Sequence, residues 1–474
     1  MGVKISYSDG VFLNACRSII ASRDFSDEAR MQLAEKLTGK SGKTRRKANG
    51  SLKLPKGKAE FLDMLDILAA MLSLGTDANI ICEAIDDYIC RLDMVEKRCK
   101  VVFLVQEKTV WPSLESIYKA MEADDRFDPK LVNVPFTHVN KQQDDEVTFY
   151  RECGLNVLHD TEYDMSRDNP DVVFFVKPYG SVPMKYYIRE IEKIVERTVY
   201  VPYGMEINYD LIRYAFQYYL HYRAWRHIVY GDIVRRVGAD CGFRNAENIV
   251  VWGHPRADSY PLEKKYAVPD EWKAKIGNRK VILWCPHHTI VPGPECVSTY
   301  LEFSDTVFRE MDRRSKDAAL LWRPHPMLFG ALVNNHHMTQ EEMDRFIAQK
   351  AGQENIILDT SSDYRTAFAA SDGMIADGTT FSVEYLFTGK PMMLTTKNLN
   401  RFYNADALEK GVYIGRTPDD ITTFMDILIR GDDPKKSERE ALSRDMFFRP
   451  KGKTVGENIA EHIISDINAE KIAI

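Results

Sequence analysis

The chain has 474 residues and a mass of 54.5 kDa, roughly two to three times the size of an ordinary single core, so two main domains and a smaller appendage are expected. Its 44% apolar, 28% charged and 11% aromatic residues exclude a wholly disordered, collagenous or disulfide-scaffold chain. A net charge of −6 argues against a globally basic nucleic-acid binder, and no nucleic-acid partner is expected.

No apolar run approaches the roughly 18 residues that cross a bilayer, and Met1 to Gly10 lacks the apolar core of a secretion signal, so a cytoplasmic placement is expected. The eight cysteines, Cys16, Cys82, Cys90, Cys99, Cys153, Cys241, Cys285 and Cys296, form no closely spaced pair and no ladder with histidine at zinc spacing. Reduced, mostly buried thiols follow.

In chain order, Phe12 to Leu37 and Glu60 to Val95 carry apolar residues at helical spacing, which predicts a helical appendage over residues 1–100. Between them lie Lys40, Lys43, Arg45, Arg46, Lys47, Lys53, Lys56 and Lys58, interleaved with Gly and Ser and with no acidic residue. Either a solvated linker or attachment to an anionic surface, such as membrane phospholipid, fits that segment.

At Cys99 the texture changes. Val101–Val105 is a continuous β-prone run, and Pro112 and Ser113 open an amphipathic helix through Met121. The alternation repeats at Leu131–Val134, Asp171–Val176, Thr198–Val201, Ile228–Tyr230 and Ile249–Trp252. A second series runs through Lys280–Trp284, a helix to Met311, Ala318–Trp322, Ile356–Leu358, Gly373–Ile375, Pro391–Leu394 and Val412–Ile414, with a last helix from Val455 to Ile467. The fold class is therefore α/β, with two doubly wound domains, 101–260 and 261–474, facing a cleft.

Ligands of such sheets sit beyond the carboxyl ends of the strands. Four post-strand segments of the second half concentrate polar groups there. Gly253, His254, Pro255, Arg256 and Asp258 follow one strand; Arg256 and Asp258 either pin the hinge as an ion pair or face the cleft. Cys285, Pro286, His287, His288 and Thr289 follow another, and either histidine suits acid, base or phosphate-donor chemistry near neutrality. No metal is expected, since no carboxylate or third histidine follows at a suitable spacing. In the third segment Pro324 and Pro326 hold Arg323 and His325 in place, as phosphate binding requires. The fourth, Asp377, Gly378, Thr379 and Thr380 at the mouth of a helix, offers N–H groups, hydroxyls and a positive dipole end to phosphate, with Glu384 one turn along.

Taken in that order, these motifs resemble the CDP-glycerol glycerophosphotransferase family of teichoic-acid primases and polymerases, over roughly Val101 to Ile467. The resemblance implies the GT-B architecture, with 101–260 as acceptor domain and 261–474 as nucleotide-donor domain. It implies transfer of glycerol phosphate or a similar polyol phosphate from a CDP-linked donor to a hydroxyl of a lipid-linked or polymeric surface glycan, with release of CMP and no cofactor. By it, Arg323, His325 and the turn Asp377 to Thr380 hold the pyrophosphate, His287 and His288 line the donor side, and Gly253, His254 and Arg256 form the interdomain wall. Many family members end a late strand of the first domain with Trp-His-Gly, whose histidine is the base. Here the stretch is Tyr200 to Glu206 without histidine, and Glu206 or Asp210 takes that part, with His287 or His288 as alternatives. Gln106, Tyr179 and Tyr203 are expected to face the acceptor, and the basic segment to dock at the inner face of the plasma membrane. The missing histidine also leaves open a sugar-nucleotide glycosyltransferase or epimerase, and a third reading is a non-catalytic nucleotide- or glycan-binding assembly subunit.

Overall fold

A computed structural model describes residues 6–22, 25–48, 56–90, 98–135, 144–180, 182–241, 246–293, 296–396 and 398–469. The first sheet comprises β1 (Cys99–Val105), β2 (Phe127–Asn133), β3 (Val157–His159), β4 (Val172–Phe175), β5 (Arg197–Tyr200), β6 (Arg226–Val229) and β7 (Ile249–Val251). The second comprises β8 (Lys280–Cys285), β9 (Ala318–Trp322), β10 (Ile356–Leu358), β11 (Gly373–Asp377), β12 (Met392–Thr395) and β13 (Tyr413–Gly415). Their strand orders are β3-β2-β1-β4-β5-β6-β7 and β10-β9-β8-β11-β12-β13. All pairings are parallel. Both sheets therefore wind outward in two directions from their first strand, and the switch point of each falls beside it, where two loops diverge and leave a crevice. The central strands carry apolar side chains on both faces because helices cover both: Val101, Val102, Phe103 and Val105 in β1 and Ile282 and Leu283 in β8 are fully buried. This is the GT-B arrangement.

The N-terminal appendage is a helical bundle of Tyr7–Ile20, Asp27–Ala48, Lys56–Ser73 and Ala78–Cys90, closed around Leu13, Leu37, Phe61, Leu65 and Ile85. The basic segment departs from a linker: residues 40–48 continue the second helix. There Lys40 pairs with Glu196 at 3.1 Å, Arg45 with Asp63 and Asp66 at 2.6 and 3.2 Å, and buried Lys58 with Asp9 at 2.8 Å and Glu196 at 3.7 Å. Gly and Ser spacing suggests a loop locally, but these partners from other elements favour the ordered form. Three cations counted toward an anionic surface are thus committed to carboxylates inside the protein, while Lys43 is exposed. Lys53, the side chains of Arg46, Lys47 and Lys56, and the stretch from Arg91 to Val95 lie outside the described residues.

The helix Val455–Ala469 leaves the second sheet and covers the first. Its N-terminal amides, Val455 and Gly456, donate to the Asp258 carboxylate at 2.9 and 3.0 Å. Gly456 sits so close to Ser116 that a Cβ there would lie 2.2 Å from the Ser116 carbonyl oxygen. Asn458 donates to the Trp252 carbonyl at 3.1 Å, and Arg226 pairs with Asp466 at 2.7 Å. Asp258 thus caps a helix from the far end of the chain and is not the partner of Arg256.

Candidate active site

Between the two sheets lies a cavity of about 710 Å³. From the first domain, Tyr179, Tyr203, Gly204, Glu206, Asp210 and His254 line it; from the second, His287, His288, Thr379 and Thr380 do, with Arg401 at the edge. The loop after β5 is clamped in place. Asn208 bridges to Phe402 as an isolated antiparallel pair, the Tyr403 amide donates to the Ile207 carbonyl at 2.9 Å, and the Tyr230 hydroxyl donates to the Glu206 carbonyl at 2.7 Å. At Gly204 the two domains come close, since a Cβ there would lie 2.8 Å from Oγ1 and Cγ2 of Thr380.

On this loop the Glu206 carboxylate accepts the Ile207 and Asn208 amides at 2.9 and 2.8 Å, both through Oε1. Burial pushes its pKa up to about 7, and the two amides only partly offset that. Asp210, in the first turn of the helix Tyr209–Ala215, is exposed and pairs with Arg401 of the second domain at 3.3 Å. Tyr179 and Tyr203 share a hydrogen bond between their hydroxyls at 2.9 Å. Gln106 does not reach this cavity; it lines a neighbouring aromatic pocket of about 210 Å³ that shares Pro178, Tyr179 and Tyr218 with it.

On the opposite wall His287 and His288 line the cavity, and His325, from the turn after β9, packs against them without being part of the lining. The ring of His325 lies 4.9 Å from that of His287 and 4.1 Å from that of His288, and His287 and His288 are 4.3 Å apart. Burial, then neighbouring histidines, pushes His287 down to about 3 and His325 to about 4, and burial lowers His288. All three rings are neutral, and each offers one N–H. One ligating atom from each lies within 4.8 Å of the others, a set that could hold a metal ion. Sequence spacing provides no third ligand beside His287 and His288; the fold supplies His325 from the turn after β9.

Several expected donor contacts are taken up elsewhere. Arg256 is buried, at 2.7 Å from Glu384, 2.9 Å from the Tyr364 hydroxyl and 2.9 Å from Ser113 Oγ. Arg256 and Glu384 therefore bind each other across the domain boundary. Arg323 is spent on Asp359, Ser361 Oγ and the Ser361 carbonyl. Asp377 accepts the His287 amide at 2.7 Å, the Thr299 amide and hydroxyl at 3.0 and 2.6 Å and the Thr395 hydroxyl at 3.0 Å, so it positions the histidine turn without touching the cavity. Gly378 gives way to packing, for a Cβ there would lie 2.2 Å from the Phe402 ring, and Gly253, at φ +95°, turns the chain past Phe448. His254 Nε2–H donates to the Pro202 carbonyl at 2.8 Å, and its Nδ1 accepts the Arg256 amide at 3.4 Å. Burial holds His254 near 3, so this neutral tautomer ties two loops together. Motif reasoning passed over His221 and His227, which also line the cavity; a histidine inside the apolar strand β6 was the available signal.

Two doubly wound domains closing on a cavity with a poised carboxyl on one wall and neutral imidazoles with hydroxyls on the other define an enzyme of the GT-B class. The model of the CDP-glycerol:poly(glycerophosphate) glycerophosphotransferase family matches residues 223–465, and the chain belongs to that family. It is a transferase that uses a CDP-glycerol donor. The chain is similar in structure to an S. aureus MnaA–UDP complex, with a TM-score of 0.53 and 16% identity over 78% of this chain and 97% of that one. It is similar also to the UDP-GlcNAc 2-epimerase of Methanocaldococcus jannaschii in complex with UDP-GlcNAc and UDP, with a TM-score of 0.51 and 13% identity over 77% and 99%. At such identity these two show the fold. The wall teichoic acid polymerase TagF aligns over 88% of this chain and 98% of its own at 14% identity, with a TM-score of 0.49. No curated protein matches in sequence.

Proposed function

We propose that the cavity carries out in-line transfer of glycerol phosphate, with Glu206 as the base that takes the proton of the acceptor hydroxyl. One observation carries this reading: a carboxyl on the cavity wall whose burial sets its pKa near 7, the range in which a base is both available and strong enough to matter. The acceptor oxygen bonds to the distal phosphorus of CDP-glycerol while the bond from that phosphorus to the CMP oxygen breaks. The proton passes to Glu206, and CMP leaves with the bonding electrons. His287, His288 and His325, with the hydroxyls of Thr379 and Thr380, supply donors for the charge spread over the phosphate oxygens. Tyr179 and Tyr203 flank the approach of the acceptor, a lipid-linked or polymeric glycan. Asp210, held by Arg401, serves to tie the domains rather than to accept the proton.

Glu206→Gln keeps the size of the side chain and the two amide contacts but removes the base. Turnover is expected to fall by roughly 10²–10⁴ with CDP affinity nearly unchanged, measured as CMP release and by calorimetric titration with CDP. Near-normal turnover would overturn the assignment.

A further inference from the structure

The pyrophosphate of a CDP-linked donor is a dianion, yet the cavity is poor in positive charge. Among the described residues that line it, Arg401 is the one arginine or lysine, and Glu206 and Asp210 add two carboxyls. Burial lowers the pKa of every histidine in the lining, so none of them brings a charge near neutral pH. Arg256 and Arg323, the arginines that the motifs offer, are only 4% and 9% exposed, lie outside the lining and are bound to Glu384 and Asp359. Lys177, beside the Tyr203 ring, is held by Glu107 at 2.6 Å. An anion drawn out of water needs a countercharge or charge-assisted hydrogen bonds, because an unpaired buried ion forfeits its hydration without return.

Arg401 is placed to meet that need. It ends the short turn Leu399–Arg401, and the two residues after it are fastened to the first domain, Phe402 by its bridge to Asn208 and Tyr403 by its amide on the Ile207 carbonyl. The backbone beneath the guanidinium is therefore pinned to the loop that carries Glu206. The side chain, 25% exposed, reaches Asp210 through Nε at 3.3 Å, and the Asp210 carboxylate is 62% exposed. An ion pair so open to water is weak. A pyrophosphate, with more charge and more acceptor oxygens than a carboxylate, matches the planar fork of a guanidinium and competes for it.

We propose that Arg401 is the cation that receives the donor's pyrophosphate, and that it exchanges Asp210 for the pyrophosphate when the donor enters. Asp210 is then a placeholder, which keeps the guanidinium at the edge of the cavity and yields it to the stronger anion. The proposal rests on the transferase reading of the cleft and adds the residue by which the site tells a nucleoside diphosphate from a nucleoside.

The test uses the full-length enzyme, with calorimetric titration of CDP and CDP-glycerol and ligand-observed NMR for cytidine. Arg401→Gln is expected to weaken CDP and CDP-glycerol by roughly 10–100-fold, the loss of a charge-assisted contact, and to leave cytidine, which has no phosphate, unchanged. Arg401→Lys keeps the charge and is expected to recover part of the loss. Asp210→Asn removes the competing carboxylate and is expected to tighten CDP by about two- to fivefold. The two members of one ion pair thus move affinity in opposite directions, whereas a pair that only ties the domains would move it the same way or not at all. Unchanged CDP affinity in Arg401→Gln, an equal loss for cytidine, or a CDP affinity that fails to rise in Asp210→Asn would overturn the proposal. CMP release by the parent, with CDP-glycerol and a soluble glycerol-phosphate oligomer as acceptor, is read alongside. Its absence would sink the transferase reading itself, whereas parent release together with unmoved CDP affinity in Arg401→Gln would sink only the role of Arg401.

Discussion

A carboxyl that keeps its proton until near neutrality must be short of both water and cations, and Glu206 meets both conditions in the loop after β5. The amides of Ile207 and Asn208 hold one oxygen, and Arg401 of the second domain goes to Asp210 instead. Two consequences follow. Since the base works deprotonated, kcat/KM is expected to rise with pH through about 7 and then level off, and the Glu206→Gln variant is expected to lose that limb, read from a pH–rate profile. The same group also sets a stability term of opposite sense. A carboxyl whose folded pKa lies above its unfolded value binds its proton more tightly when folded, so folding weakens as pH rises from the unfolded pKa through the folded one. Glu206→Gln is therefore expected to gain Tm relative to the parent between pH 5 and pH 8, measured by thermal melts across that range. None of this was legible from residue type alone. The stretch without a histidine pointed to Glu206 first and Asp210 second; what separates them in the structure is that one is enclosed and the other sits beside a cation contributed from 191 residues away.

At the scale of elements, the strands legible in the sequence were those buried on both faces, such as Val101–Val105 and Lys280–Trp284, because a run of β-prone apolar residues leaves little alternative. β3, only Val157 to His159, has too few residues for any period, and β2 begins with Phe127, Asp128 and Pro129, which read as a turn. The basic segment was misjudged for a related reason, in that its partners lie on other elements. Lys58 and Lys40 hold the Glu196 carboxyl well below the usual carboxylate range, and through it they dock the helical bundle on the first domain. Because that folded pKa is depressed, the contact contributes stability above the unfolded carboxylate pKa and loses it as pH falls below. Lys58→Met would leave Asp9 and Glu196 without their shared cation, and an expected loss of about 3–5 kcal/mol at neutral pH, measured by denaturant unfolding, should shrink as the solution is acidified. A loss independent of pH would show that Lys58 matters as packing only.

Across the whole molecule, the two domains are held by polar contacts at the base of the cleft. Arg256 meets Glu384 and Ser113, and Arg365 meets Glu115 at 2.9 Å. The Arg256–Glu384 pair spans 128 residues, so the nearer Asp258 drew attention in the sequence while the true partner did not. Removing one member of a buried pair strands the other. Arg256→Met is expected to destabilise the protein by about 3–5 kcal/mol, and the double variant Arg256→Met with Glu384→Leu to recover a large part of that, since an apolar pair carries no unpaired charge. Unfolding of the single and double variants checks both expectations, and strictly additive losses would contradict the pairing.

The return of the helix Val455–Ala469 to the first sheet bears on how the protein is made. All seven strands of that sheet have been synthesised by Val251, yet the Asp258 carboxylate, the Trp252 carbonyl and the face of the helix Glu115–Glu122 around Ser116 wait for partners that emerge only after the entire second sheet. During translation the first domain is therefore an open half-product, and the ribosome must deliver its neighbour before it can close. A premature stop anywhere in the second domain removes this helix and leaves the Asp258 carboxylate, the Trp252 carbonyl and the surface around Ser116 uncovered, so a truncation there reaches into the first domain as well.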